Sequence, residues 1–201
     1  MRIGVFGGTF DPPHVGHLIL AEECLSQLKL DQILWVLTGD PPHKLDQTIS
    51  PAEIRLKLLQ AAIQQNPAFT ISRIELERPG PHYSYQTLRL LHESRPQDDL
   101  FYLMGGDSLH DLPTWKSPVD LLRLCSGLGV MCRPGWNIDL ESLERKIPGL
   151  SDKVIFVDAP VMEISSHQIR DRIAAGRPYR YYVPAAVYEV ILQHGYYHRD
   201  C

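Results

Sequence analysis

The sequence predicts an α/β protein with an open, mainly parallel sheet and helices on both faces. Apolar runs rich in β-branched residues alternate with segments of helical periodicity, the pattern of repeated strand–helix–strand units. The predicted strands are Ile3–Phe6, Ile33–Leu37, Thr70–Glu75, Leu100–Met104, Gly129–Cys132 and Val154–Val157. The predicted helices are His14–Lys29, Pro51–Gln65, Tyr85–Glu93, Val119–Leu124, Ile138–Arg145, Gln168–Ala175 and Ala185–Gln193. The last two helices form a small C-terminal helical portion, at about residues 165–201.

Local signals support several of these helix ends. Ser50-Pro51-Ala52-Glu53 reads as a capping box with proline at the first helical position, and Ser117-Pro118-Val119-Asp120 is a weaker version of it. Ser165-Ser166-His167-Gln168 reads as the cap of the helix that carries Arg170. Gly176 and Gly195 follow helices where a left-handed residue is favoured.

Composition is that of an ordinary globular protein. The chain has 201 residues, 44% hydrophobic and 22% charged, which fits a single domain over residues 1–201. A net charge of -4 argues against a nucleic-acid partner, but a phosphate ligand needs only a few local cations and backbone N–H groups. The sequence does not fix an oligomeric state.

The compartment is predicted from what the sequence lacks. The first residues lead directly into a strand without a signal-peptide pattern, and no apolar stretch approaches the ~20 residues of a membrane span. The four cysteines, Cys24, Cys125, Cys132 and Cys201, form no C-x-x-C pair. We therefore expect a cytoplasmic protein with reduced thiols, no membrane partner and no protein-bound metal site.

The loop after the first strand carries the strongest functional signal. Gly7-Gly8-Thr9-Phe10-Asp11-Pro12-Pro13 follows that strand, and His14-Val15-Gly16-His17 then opens a helix. Glycines let a backbone approach a ligand that a Cβ would block, and ligands of open parallel sheets lie beyond the carboxyl ends of the strands. The helix N-terminus adds exposed N–H groups that favour an anion. The sequence thus predicts a Rossmann-like nucleotide site here.

The two histidines are three residues apart and should project from one helix face. Two adjacent imidazoles, each a donor when protonated, are suited to phosphate oxygens. A lone histidine is more often a cap or a surface residue, but the H-x-G-H spacing directly behind the glycine loop favours binding. No G-x-x-x-x-G-K-[ST] run occurs, which excludes a P-loop enzyme, and the absence of G-x-G-x-x-G in the first loop disfavours an oxidoreductase.

This first loop and its histidines resemble the signature of the H-x-G-H nucleotidyltransferases. Later blocks narrow the resemblance to bacterial nicotinate mononucleotide adenylyltransferases and follow that family's order from residue 3 to about 197. The blocks are Pro41-Pro42-His43-Lys44, Tyr83-Ser84-Tyr85-Gln86-Thr87-Leu88, Gly105-Gly106-Asp107-Ser108-Leu109, Pro113-Thr114-Trp115, Arg133-Pro134-Gly135 and Ile164-Ser165-Ser166 with Ile169-Arg170. The resemblance implies one nucleotidyltransferase domain that joins ATP and nicotinate mononucleotide, in NAD biosynthesis.

The resemblance also implies roles for individual residues. Catalysis would fall to His14, His17, Lys44 and Arg170. ATP would be bound by Gly7, Gly8, Thr9, Phe10, His14, His17, His43, Lys44, Ser166 and Arg170. Nicotinate mononucleotide would be bound by Ser84, Tyr85, Asp107, Trp115 and Arg133. Three positions depart from the family pattern: His82 replaces a usual Ser, Ser84 a usual Thr and His167 a usual Thr.

The implied chemistry needs no general base. The second phosphate pKa is about 6, so the attacking mononucleotide is already largely dianionic at neutral pH. Mg²⁺ would arrive with ATP, because this ion usually keeps waters and substrate phosphates as ligands. Rival interpretations are a phosphopantetheine adenylyltransferase, a cytidylyltransferase acting on a glycerol phosphate, and a non-catalytic nucleotide sensor.

Overall fold

The sheet is parallel throughout. A computed structural model describes residues 1–39, 49–131, 138–160 and 162–198 of the chain. Its strands are β1 (Arg2–Gly8), β2 (Gln32–Leu37), β3 (Phe69–Ser72), β4 (Asp99–Gly105), β5 (Gly127–Met131) and β6 (Val154–Val157). Each neighbouring pair of these strands is parallel, so the predicted fold class is confirmed.

The strand order places a crevice at the centre of the sheet. The order is β3-β2-β1-β4-β5-β6, so the chain builds outward from β1 in one direction and then, from β4, in the other. Phe6 of β1 lies opposite Leu103 of β4 at this reversal. Such a reversal leaves a ligand crevice beyond the carboxyl ends of the two central strands.

Eight α-helices lie in the described residues. They are α1 (Val15–Gln27), α2 (Ala52–Ile63), α3 (Ser84–Ser94), α4 (Gly106–Asp111), α5 (Pro118–Leu124), α6 (Leu140–Lys146), α7 (Ser166–Ala174) and α8 (Ala185–His194). The helix α4 and two 3₁₀ turns, Leu112–Thr114 and Arg180–Tyr182, were not predicted from the sequence. No helix in the described parts of the chain has the length and apolar character needed to cross a membrane.

Alternating strand residues divide the core between the two faces of the sheet. Ile3 and Val5 of β1 pack in a cluster with α3, α4, α5 and α6, whereas Phe6 packs in a second cluster with α1 and α2. β4 divides its side chains in the same way, with Tyr102 on the first face and Leu103 on the second. Helices therefore cover both faces, as a buried parallel sheet requires.

The C-terminal helices form a third apolar cluster. Ile169 of α7 and Val187 of α8 are buried against Leu58, which α2 contributes. This cluster fixes the N-terminus of α7 near the carboxyl edge of the sheet. That the chain is one nucleotidyltransferase domain over residues 1–201 stays a prediction.

Some predicted boundaries are wrong. β3 ends at Ser72 rather than Glu75, because the residues that follow turn back with a hydrogen bond from Leu76 N–H to Arg73 O of 2.8 Å. β5 begins at Gly127 rather than Gly129. Cys132, the last residue predicted for that strand, lies outside the described residues.

The predicted caps have mixed outcomes. At Ser165 the capping box is confirmed, with Gln168 as the reciprocal residue. At Ser50 it is wrong: α2 begins at Ala52 and has no side-chain cap, and Ser50 N–H, which Glu53 would accept in a capping box, donates instead to the carboxylate of Asp11 at 3.1 Å. Ser117 does precede α5, with proline at the first helical position, but makes no side-chain cap.

Candidate active site

A cavity of about 450 Å³ opens at the crevice between β1 and β4. Its wall is formed by the end of β1, the start of α1, the end of β4 with α4, and the start of α7. The predicted site residues that line it are Gly7, Gly8, Phe10, His14, His17, Asp107, Trp115, Ser166 and Arg170. The fold therefore brings together residues that are up to about 160 positions apart in the chain, a span set by Gly7 and Arg170.

The two histidines form one unit at the start of α1. Their rings are stacked, with 3.6 Å between centroids and 25° between planes. The backbone N–H of His14 donates to Nδ1 of His17 at 3.2 Å. An acceptor nitrogen carries no proton, so the neutral His17 ring holds its proton on Nε2 and uses that atom as the donor.

His14 is the more buried of the pair and is neutral at physiological pH. It is 7% exposed, and burial lowers its pKa to about 4. Its Nδ1 has no hydrogen-bond partner among the described residues. A Cβ built on Gly16 would lie 3.1 Å from that Nδ1, so any other residue there would require the His14 ring to shift slightly.

The glycine pair lines the cavity and also leaves space for neighbouring side chains of the protein. A Cβ on Gly8 would lie 2.7 Å from the ring of Phe10, and one on Gly7 would lie 3.3 Å from the hydroxyl of Tyr102. Phe10 is buried with a positive φ of 48°, and its ring packs edge-on against His17 with 5.2 Å between centroids. Gly8 thus makes room for the aromatic side chain that supports His17, in addition to lining the cavity.

The start of α7 contacts the first loop directly. Ser166 Oγ donates to the carbonyl of Pro12 at 2.9 Å, and Arg170 Nη1 donates to the carbonyl of Asp11 at 2.7 Å. Both side chains also line a small adjacent cavity of about 90 Å³ together with Thr9 and His17. An arginine, a hydroxyl and an imidazole therefore face this space and can bind an anion, although the carboxylate of Asp11, 3.8 Å from Arg170 Nη1, also lines it.

Trp115 and Tyr102 form an aromatic part of the wall of the main cavity, here called the aromatic end. Trp115 is partly buried and meets Tyr102 edge-on, with 6.1 Å between ring centroids. The hydroxyl of Tyr102 donates to Ser84 Oγ at 2.9 Å, and burial raises the pKa of Tyr102 to about 12, so it remains protonated. Asp107 lies on α4 at the cavity wall.

A second cavity of about 140 Å³ adjoins this end and shares Gly7, Gly8 and Tyr102 with the first. Ser84, His82 and Glu75 line it, as does Thr9. Glu75 accepts a 2.6 Å hydrogen bond from the hydroxyl of Thr87. The departure at His82 therefore falls beside the cavity system.

Of the remaining predicted residues, only Tyr85 lies within the described part of the chain, and it does not line these cavities. Tyr85 packs against the core cluster on the face of α3, so its side chain is not among the lining residues. His43, Lys44 and Arg133 lie outside the described residues. His167, which lines the main cavity, forms an exposed pair with Asp171 at 3.1 Å.

Comparison with known proteins decides the family. The cytidylyltransferase-like family profile matches residues 5–172. A probable nicotinate-nucleotide adenylyltransferase of Thermomicrobium roseum is 46% identical over 98% of this chain and 91% of its own. Another from a Roseiflexus species is 43% identical over 97% of each chain. This chain belongs to the nicotinate-nucleotide adenylyltransferase family.

The fold of this chain is also found in solved structures. The nicotinic acid mononucleotide adenylyltransferase of Plasmodium falciparum, solved in complex with NaAD, superposes with a TM-score of 0.79. It covers 98% of this chain and 97% of its own at 19% identity, a level at which the likeness shows the shared fold alone.

Three residues that bear on the adenylyltransferase site were not singled out from the sequence. Tyr102 sits on a buried strand, where an aromatic is normally core, so only the hydroxyl hinted at a polar role. Asp11 belongs to the first-loop motif but received no role there. Tyr197 gave no signal, because its partner is Asp11, 186 residues away.

Proposed function

We propose that this chain transfers the adenylyl group of ATP to nicotinate mononucleotide, forming nicotinate adenine dinucleotide and pyrophosphate in NAD biosynthesis. The observation that carries the proposal is the stacked His14–His17 pair at the carboxyl edge of the sheet. The same cavity is also lined by Arg170, at what we call the anion-binding end, and by Trp115, at the aromatic end. A triphosphate and a pyridine mononucleotide need those two surroundings.

The bond changes follow from the two substrates. A phosphate oxygen of the mononucleotide bonds to the α-phosphorus of ATP, and the bond from that phosphorus to the bridging oxygen breaks. The electron pair of the broken bond leaves with pyrophosphate. The nucleophile needs no base, because its second pKa is about 6. Positioning and stabilisation of developing charge are therefore the work of the protein.

We assign the charge stabilisation to donors around the first loop. His17, with its ring proton on Nε2, and the neutral His14 would donate to oxygens of the reacting phosphate. Arg170 and Ser166 would hold the departing pyrophosphate. The sequence-based roles of His43 and Lys44 at the same phosphates are kept as proposals.

The aromatic end would receive nicotinate mononucleotide. Trp115 offers a broad face to the pyridine ring, and Tyr102 fixes Ser84 beside it. Asp107 would accept a hydrogen bond from a ribose hydroxyl. Tyr85 is placed near the start of α3, where backbone N–H groups can receive a carboxylate, and Arg133 would bind the mononucleotide phosphate.

Mg²⁺ is proposed as the ion that arrives with ATP. Among the described residues, no group of three or more His, Cys, Asp or Glu side chains could hold a metal. Mg²⁺ usually takes its ligands from triphosphate oxygens and waters. When bound, it would neutralise part of the triphosphate charge. We also keep the prediction of a cytoplasmic location, with Cys24 and Cys125 as buried free thiols.

The direct test is a product assay on the purified chain. ATP and magnesium are supplied with nicotinate mononucleotide, nicotinamide mononucleotide or phosphopantetheine, and pyrophosphate and dinucleotide are both quantified. We expect pyrophosphate in equal amount to nicotinate adenine dinucleotide. Binding of ATP without pyrophosphate release would indicate a nucleotide sensor, and pyrophosphate formed only with phosphopantetheine would indicate the rival transferase.

Replacing Trp115 with alanine should separate the two substrates. Loss of stacking costs about 1–3 kcal/mol per ring, so the KM for nicotinate mononucleotide should rise about 5- to 150-fold. The KM for ATP should change little. Steady-state kinetics with each substrate varied measure both values. Tyr181→Ala, at a side chain that is 87% exposed, is the matched control. Equal increases in both KM values would indicate a packing role for Trp115.

A further inference from the structure

We propose that Tyr197, acting through Asp11, positions Arg170 and the first loop for the triphosphate. Tyr197 would thus be a positioning residue supplied by the segment after α8, the last helix of the chain. The inference rests on the proposed function, because it concerns how the same site meets ATP.

Asp11 is the centre of the arrangement. It is 3% exposed, and its Oδ1 accepts a 2.8 Å hydrogen bond from the Tyr197 hydroxyl. Its Oδ2 accepts from Ser50 N–H at 3.1 Å and lies 3.8 Å from Arg170 Nη1. The same Nη1 donates to the Asp11 carbonyl at 2.7 Å. Asp11, one buried residue of the first loop, is therefore contacted by Tyr197 after α8, by Ser50 just before α2, and by Arg170 of α7.

The hydrogen bonds to Asp11 fix the position of its carboxylate. A buried carboxylate must have its oxygens satisfied, so each lost donor changes where the carboxylate sits. Burial, with the nearby charge of Asp11 as a second cause, raises the pKa of Tyr197. The hydroxyl therefore stays protonated at physiological pH and acts as a permanent donor.

The arrangement forms part of the anion-binding end of the site. Asp11, Arg170 and Ser166 line the cavity of about 90 Å³ together with His17. The hydrogen bond from Ser166 to the Pro12 carbonyl is a second link between α7 and the same loop. Removing the Tyr197 donor would let the Asp11 carboxylate turn towards Arg170. The guanidinium would then be held more tightly by the protein and be less available to the triphosphate.

The variant Tyr197→Phe isolates the hydroxyl, because the ring that packs on the C-terminal cluster is kept. The neighbouring Tyr196→Phe is the matched control, since Tyr196 stacks on His194 with 5.1 Å between centroids. We expect Tyr197→Phe to raise the KM for ATP about tenfold, the loss of one hydrogen bond to a charged group. The KM for nicotinate mononucleotide should stay within twofold, and Tyr196→Phe should match the wild type.

A double-mutant test asks whether the effect passes through Arg170. In an Arg170→Ala background, Tyr197→Phe should add less than twofold to the KM for ATP. An undiminished tenfold effect there would overturn the inference. So would an unchanged KM for ATP in the single variant, an equal rise for both substrates, or loss of cooperative unfolding. Failure of the wild type to form dinucleotide would instead count against the proposed function.

Discussion

Replacing His17 with alanine is expected to lower kcat by about 10²–10³-fold, the usual effect of losing one donor to a transition-state oxygen. The reason is the fixed geometry of this ring. His14 N–H holds Nδ1, the His14 ring stacks on one face, and Phe10 packs on it edge-on. The proton on Nε2 is therefore held in place before substrate binds, and alanine supplies no substitute for it.

Single-turnover or steady-state measurements at saturating substrates give the change in kcat. Because the His17 ring also packs in the site, thermal unfolding must show that the alanine variant is folded under assay conditions. His110→Ala is the control, since His110 is 76% exposed and pairs only with its neighbour Asp111 among the described residues. Near-normal turnover by a folded His17→Ala protein would remove His17 from catalysis.

The fold class could be predicted from the sequence because the pattern of apolar residues is strong in the strands at the centre of the sheet. β1, β2 and β4 are buried on both faces and read as continuous apolar runs. The errors lie where tertiary contacts decide. Ser50 was read as a local cap, but its N–H and carbonyl are taken by Asp11 and Arg55. Similarly, α4 has six residues, begins at Gly106 directly after Gly105, and is too short a segment to show helical periodicity.

The sequence predicted the part of the site in which the fold also brings the motif residues together. The spacing of His14 and His17 predicted two adjacent imidazoles, and the stacked rings confirm that adjacency. From the sequence, each ring is expected to be a donor when protonated, but His14 is neutral at physiological pH, because burial lowers its pKa to about 4. The burial of the ring depends on the residues packed around it, and the motif alone does not identify those residues. A neutral imidazole still donates one hydrogen bond, so the proposed role is kept in that form.

One stabilising feature that the sequence did not reveal is a buried arginine that contacts the first loop. Arg55 of α2 is 2% exposed. Its Nε donates to Ser50 O at 2.8 Å, and its Nη1 donates to Thr9 O at 3.0 Å and Thr38 O at 2.7 Å. Its Nη2 reaches Gly39 O at 3.2 Å. One side chain thus ties the loop after β1 to the loop after β2 and to the residues before α2.

We expect Arg55→Met to lower the free energy of unfolding by about 3–5 kcal/mol, because several carbonyls lose a charged donor at a buried position. For a chain of this size that corresponds to roughly 6–20 °C in Tm. Arg89→Met is the control: its side chain is 55% exposed and pairs with Glu93 at 3.8 Å, an exposed pair worth about 0.5 kcal/mol or less.

Thermal and denaturant unfolding of the two methionine variants, compared with the wild type, measure the difference. If both variants unfold within about 2 °C of each other, the carbonyl contacts of Arg55 do not stabilise the native state beyond an ordinary surface arginine. A large loss for Arg55→Met alone would show that the first loop is held by a network reaching α2. The conformation of the loop bearing Gly8, His14 and Phe10 would then depend on Arg55 as much as on the sequence of the loop itself.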